Sequence, residues 1–103
     1  SLAGMGDGRV TIGGQEIEVH GGRCTIVGSG TLAGSVIALD SAVRNLVRRG
    51  ASLPATVAAA SRNPLAMLGV ADRGRLAPGQ RADLVELDDE LLVRRVMRGG
   101  VWR

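Results

Sequence analysis

The chain contains no Phe and no Tyr, and its one Trp stands at position 102 of 103. Aromatic side chains bury roughly 150–250 Å² each and usually dominate a small core. Any core here has to be assembled from Val, Leu, Ile and Ala, which is thin for an independent domain of this length. The apolar fraction of 45% is ordinary, so the shortfall lies in the size of the apolar groups. The chain is therefore expected to lean on other polypeptide for burial.

Glycine supplies the punctuation. Gly13-Gly14, Gly21-Gly22 and Gly99-Gly100 read as tight turns. Between the first two, Glu16-Ile17-Glu18-Val19 alternates with the period of a half-buried strand. With Arg9 to Ile12 before it and Arg23 to Val27 after it, this predicts a β-meander over residues 9–27. A glycine-rich loop, residues 28–35, follows. Ile37, Leu39, Val43, Leu46 and Val47 then repeat at helical spacings, and Gly50 suits the position after a helix end. Ser52 before Leu53-Pro54 reads as an N-cap of an Ala-rich helix running to Ser61. Asn63-Pro64 reads as a second cap-plus-proline start, with a short helix over Leu65 to Leu68. After a loop containing Pro78-Gly79, strands are expected at 82–87, 91–97 and 101–103. The fold class is α+β: a β-meander, three helices, then strands.

Several function classes are disfavoured by composition. The net charge is +3, and the 13 basic residues, all Arg, are scattered. Nucleic-acid binders cluster their basic residues or add stacking aromatics, so no nucleic-acid partner is expected. No stretch approaches the ~18 apolar residues of a membrane span, so no membrane partner is expected either. Cys24 is alone, cannot form an internal disulfide, and fits a reducing cytoplasm as a small buried side chain. His20 is the only His, and no set of ligands at zinc-site spacing accompanies it. Glu16 and Glu18 share one strand face and read as solvated. So do Asp88, Asp89 and Glu90 in their turn. Asp83 reads as a structural partner of Arg81 or Arg73. The chain opens on Ser1 and not Met, which reads as a processed, trimmed or fragmentary product.

Strand, glycine loop and helix at residues 23–47 look like a dinucleotide-binding start. Gly28, Gly30 and Gly34 are spaced G-x-G-x-x-x-G, one residue off the fingerprint. That fingerprint needs a second parallel strand after the helix, and here another helix follows. What survives is a loop able to offer backbone N–H groups to a polar or anionic ligand.

Three segments together carry a resemblance. They are Gly30-Thr31-Leu32-Ala33-Gly34-Ser35 ahead of Ala42-Val43-Arg44-Asn45-Leu46-Val47, then Ala60-Ser61-Arg62-Asn63-Pro64-Leu65-Ala66, then Gly74-Arg75-Leu76-Ala77-Pro78-Gly79-Gln80-Arg81-Ala82-Asp83-Leu84. The last resembles the ending of many metal-dependent amidohydrolases. The first is narrower and is similar to the N-acetylglucosamine-6-phosphate deacetylase family. The resemblance covers essentially the whole chain and matches that family's C-terminal portion.

The resemblance implies a (β/α)₈ barrel with a small β-sandwich, of which this chain supplies the end. Residues 1–35 would be a hairpin-bearing loop region over the active site. Residues 36–69 would be closing barrel helices, and residues 70–103 a connector and terminal sandwich strands. The implied reaction hydrolyses the acetamide of N-acetylglucosamine 6-phosphate to glucosamine 6-phosphate and acetate. A divalent metal, zinc or iron, would polarise the carbonyl and activate water, and an Asp would move the proton. By the family's pattern the metal ligands and that Asp fall before Ser1, so no catalytic or metal-binding residue is expected here and the chain alone should be inactive. Ala33, Gly34 and Ser35 match the segment that approaches the sugar. The implied partners are the phosphorylated amino sugar and the N-terminal barrel of the same protein. A homodimer is the assembly the resemblance leaves open. The rival readings are another amidohydrolase, deaminase- or dihydropyrimidinase-like, and a self-contained, non-catalytic α+β interaction module.

Overall fold

The computed structural model describes residues 2–103, so the first residue of the expected 1–35 region, Ser1, lies outside the described residues. The chain divides into two compact units, the first ending at Ala38 and the second running Leu39–Arg103.

The first unit is a three-stranded antiparallel meander of β1 (Gly8–Ile12), β2 (Gln15–His20) and β3 (Arg23–Ile26). Ile12 pairs with Gln15, and His20 with Arg23. Two residues therefore separate each pair of strands, and both are glycines at positive φ: 58° and 80° at Gly13-Gly14, 55° and 78° at Gly21-Gly22. Such two-residue turns match the right-handed twist of the strands only when both positions are left-handed, which is where glycine carries no Cβ penalty.

Alternation along β2 puts Ile17 and Val19 on the inner face, 6% and 1% exposed, beside Cys24 at 2%. Leu2, Met5, Val10, Ala33 and Val36 pack against these three. On the outer face Glu18 meets its ladder neighbour Arg9 at 3.0 Å, and Arg9 also lies 4.0 Å from Glu16.

The second unit begins with α1 (Leu39–Arg48). Its onset is two residues later than the hydrophobic spacing suggests, because the Val36 carbonyl is taken by the Gly4 N–H at 2.9 Å, outside any helix. Ile37 thus precedes the helix. Asp40 and Arg44, one turn apart, bond at 2.8 Å.

Beyond Gly50, α2 (Leu53–Ala60) and α3 (Arg62–Met67) form one nearly continuous run, broken only at Ser61 (φ −132°, ψ −79°). The Ser52 cap holds, with its Oγ accepting from the Ala55 N–H at 3.4 Å. The expected fresh start at Asn63 does not: Asn63 and Pro64 lie inside α3. Pro64 lacks an N–H but needs none in a first turn, so the proline is accommodated without a separate cap. The helical part is therefore two runs and not three separate helices. Within the run only Thr56 is buried, at 4%.

A second antiparallel sheet closes the chain, in the order β4 (Leu84–Leu87), β5 (Val93–Arg98), β6 (Val101–Trp102). Gly99-Gly100 makes its tight turn. Leu91, expected in a strand, sits instead in the β4–β5 connection at φ 61°. The α+β class and two antiparallel sheets agree with the reading of the sequence.

Burial is scant. Among the described residues the buried apolar side chains are Ile17, Val19, Cys24 and Val43, while Met67, Leu76 and Leu68 are 88%, 87% and 77% exposed. Large apolar groups left this bare are the reverse of what hydrophobic burial favours.

Candidate functional site

The glycine-rich stretch after β3 is more ordered than a loop. The Ile26 N–H donates to the Thr31 carbonyl at 2.8 Å and the Gly30 N–H to the Ile26 carbonyl at 3.1 Å. Thr25 and Leu32 form an antiparallel bridge, and the Ala33 N–H donates to the Cys24 carbonyl at 2.9 Å. The chain thus doubles back along β3. Of the N–H groups at residues 30–33 that could have served an anion, those of Gly30 and Ala33 are spent on this return, and that of Thr31 donates to the Ser29 Oγ at 3.2 Å. The α1 N-terminus, four residues past Ser35, does not follow directly from it.

The three residues singled out for substrate contact differ in what remains to them. Ala33 is half-buried against the Ile17–Val19–Cys24 cluster, so it is a foot for the segment. Gly34 is exposed, has φ 142°, and its N–H has no partner among the described residues. A Cβ added there would meet no atom within 4 Å. The Ser35 Oγ accepts from the Ile37 N–H at 3.3 Å, which leaves the hydroxyl proton able to donate elsewhere. The Ser35 carbonyl accepts from the Leu2 N–H at 3.2 Å. The segment therefore presents one backbone donor and one hydroxyl on a backbone fixed from both sides.

His20, Asp83 and Asp88, also singled out in the sequence, have structural partners. His20 is 88% exposed, with its Nδ1 3.3 Å from Asp7 Oδ2. Asp83 accepts from the Gly99 N–H at 2.8 Å and meets Arg81 and Arg73 at 3.0 and 3.4 Å. The Gly99 N–H, with the two guanidinium groups, holds its carboxyl below the ordinary value of 3.8 against a partly opposing desolvation. Asp40 is lowered in the same direction by its hydrogen bond from Arg44, and Asp72 by its bond from Arg73. Asp88 does more than face solvent: its Oδ1 accepts from the Glu90 and Leu92 N–H groups at 3.0 and 2.8 Å. Spacing did not reveal the bond from Arg44 to the Leu91 carbonyl at 2.9 Å, which spans 47 positions.

Among the described residues no group of three or more His, Cys, Asp or Glu is arranged to hold a metal ion. The residues present do not fit a catalytic metal, and no chemical step can be derived through one here. A cleft of about 420 Å³ lies beside α1, with Arg44, Arg48, Asp89 and Glu90 in its wall, and another of about 380 Å³ lies between α2 and residues 74–77. Neither is lined by residues 33–35. No helix among the described residues is long and apolar enough to cross a membrane.

Comparison with known proteins gives a consistent result. No protein-family model matches the chain. It is 46% identical over 96 residues to a putative N-acetylgalactosamine-6-phosphate deacetylase of Escherichia coli K12, covering 91% of this chain and 57% of that protein. It is 41% identical over 104 residues to the N-acetylglucosamine-6-phosphate deacetylase of Bos taurus, covering 97% of this chain and 25% of that protein. The crystal structure of N-acetylglucosamine-6-phosphate deacetylase from Thermotoga maritima superposes with a TM-score of 0.88 at 38% identity, over 98% of this chain and 28% of that one. A variant of the Mycobacterium smegmatis enzyme in complex with N-acetyl-D-glucosamine-6-phosphate superposes with a TM-score of 0.84 at 36% identity, over 99% and 28%. The chain thus spans between a quarter and rather more than half of the length of these curated relatives.

Proposed function

We propose that this chain, a homologue of one portion of the N-acetylglucosamine-6-phosphate deacetylases, works as the C-terminal segment of such an enzyme, in the hydrolysis of N-acetylglucosamine 6-phosphate to glucosamine 6-phosphate and acetate. The observation that carries the proposal is similarity over nearly the whole chain in both sequence and backbone, with 38% identity and a TM-score of 0.88 to one solved deacetylase. In this reading residues 1–35 cover the active site, residues 36–69 close a (β/α)₈ barrel, and residues 70–103 lead into a small β-sandwich. The bare side chains of Met67, Leu68 and Leu76 are then the surface that the N-terminal barrel covers.

Ala33, Gly34 and Ser35 face the sugar. Ala33 seats the segment, the Gly34 N–H and the Ser35 hydroxyl donate to substrate oxygens, and the missing Cβ at Gly34 lets the backbone come close. A loop that follows a barrel strand reaches the face where barrel enzymes keep their active sites. A divalent metal, zinc or iron, and the proton-transferring Asp belong to polypeptide ahead of this chain. The setting is cytoplasmic amino-sugar breakdown, and a homodimer is compatible with it.

A second reading concerns the sugar. Two E. coli relatives at 46% identity are named for N-acetylgalactosamine 6-phosphate, the C4 epimer. Assay of the full-length natural protein on both 6-phosphates decides between them, and turnover of neither overturns the proposal. The 103-residue chain alone, supplied with zinc or iron, is expected to release no acetate above buffer. Robust release would mean that the chemistry lies within these residues.

A further inference from the structure

Residues 33–36 are gripped on two sides. On one side lies β3, through the Ala33 N–H and the Thr25–Leu32 bridge. On the other lies the segment Leu2–Met5. Its Leu2 N–H donates to the Ser35 carbonyl at 3.2 Å, and its Gly4 N–H to the Val36 carbonyl at 2.9 Å. Leu2 and Met5 pack on the same Ile17–Val19–Cys24 cluster that receives Ala33 and Val36. The Met5 N–H closes a turn on the Leu2 carbonyl at 2.9 Å, with Gly4 at φ 81°. Farther along, Asp7 Oδ1 accepts from the Gly21 N–H at 3.0 Å, tying this segment to the β2–β3 turn. It is thus anchored at both ends and makes its backbone bonds to Ser35 and Val36.

We propose that Leu2–Met5 is a positioning strap for the sugar-facing segment, in which Leu2 and Gly4 act through Ser35 and Val36, Met5 acts through the shared apolar cluster, and none touches substrate. This rests on the reading above that Gly34 and Ser35 face the sugar phosphate. Gly34 and its neighbours would otherwise be loosely held, and donors displaced by about 1 Å lose much of their effect on a bound substrate. The strap removes that freedom with two backbone bonds and two apolar contacts.

The test uses the full-length natural protein and two variants. Gly4→Ala adds a Cβ that meets no atom within 4 Å but sits at a φ that L residues avoid, so it disturbs only the strap's backbone. Met5→Ala removes its packing. Gly13→Ala is the matched control, with φ 58° and open space in the same unit, away from the strap. Amide exchange at residues 34–37 is read together with KM and kcat for N-acetylglucosamine 6-phosphate. Both strap variants are expected to exchange faster there and to raise KM about three- to tenfold with kcat within about twofold, while the control changes neither. Faster exchange with unchanged KM overturns the positioning role. Unchanged exchange overturns the strap itself, and an equal KM rise in Gly13→Ala reduces the effect to general loosening. A wild-type protein without turnover of either sugar phosphate would remove the functional reading on which this inference stands, even with the exchange pattern as expected.

Discussion

At Asp83 a single carboxylate accepts from the Gly99 N–H at 2.8 Å and lies between the guanidinium groups of Arg81 and Arg73. The Gly100 N–H, next along, donates to the Ala82 carbonyl at 2.9 Å. Because the folded carboxyl titrates below its ordinary value of 3.8, its contribution is present above that value and is lost as pH falls through the lower folded one. Amide protection at Gly99 and Gly100, compared at about pH 5 and about pH 2, is expected to drop at the lower pH. Asp83→Asn should show reduced protection at both pH values, and a pH response equal to wild type would count against the assignment. The residue type and its neighbours made this structural role legible in the sequence. The exposure of His20 and the burial of Cys24 are legible in the same way. The two backbone bonds that Asp88 accepts are not legible, because a side chain folding back on its own turn leaves no spacing signal.

Elements with strong local chemistry are the ones legible in the sequence. Double glycines set three hairpin turns, alternation set β2, and Ser52 with Pro54 set α2. At α1 and at the β4–β5 connection a distant group intervenes. The onset of α1 is delayed by the Gly4 N–H on Val36. The β4–β5 connection is wider than expected because Asp88 and the Arg44 guanidinium hold Leu91 at φ 61°. A left-handed Leu costs about 1–2 kcal/mol in conformational energy, so its turn has to be over-determined by such bonds. Asp88→Ala is therefore expected to destabilise the protein by about 1–2 kcal/mol, measured by chemical denaturation. Adding Leu91→Gly in that background should recover part of the loss. No recovery would show that Leu91 packing outweighs its backbone conformation.

At the scale of the whole molecule, the absence of Phe and Tyr was the most informative part of the sequence. A structure whose buried apolar side chains, among the described residues, are three in the first unit's cluster plus Val43 matches it. Which faces would be left bare was not legible, since helical periodicity marks an apolar stripe without naming its cover. The isolated 103-residue chain is expected to bind a dye specific for exposed apolar surface and to self-associate at micromolar concentration. The full-length natural protein should do neither to the same degree. A dye-silent, monomeric fragment would indicate that its apolar groups find cover among themselves.

Among the described residues, each strand bonds to the strand next to it in sequence, across a glycine turn or the short β4–β5 connection. Pairings between sequence neighbours close small loops, which form in microseconds and carry little chain-closure entropy. These pairings can therefore form soon after their residues leave the ribosome. Damage to a Gly-Gly turn would then act early, on the rate of folding, more than on the finished state.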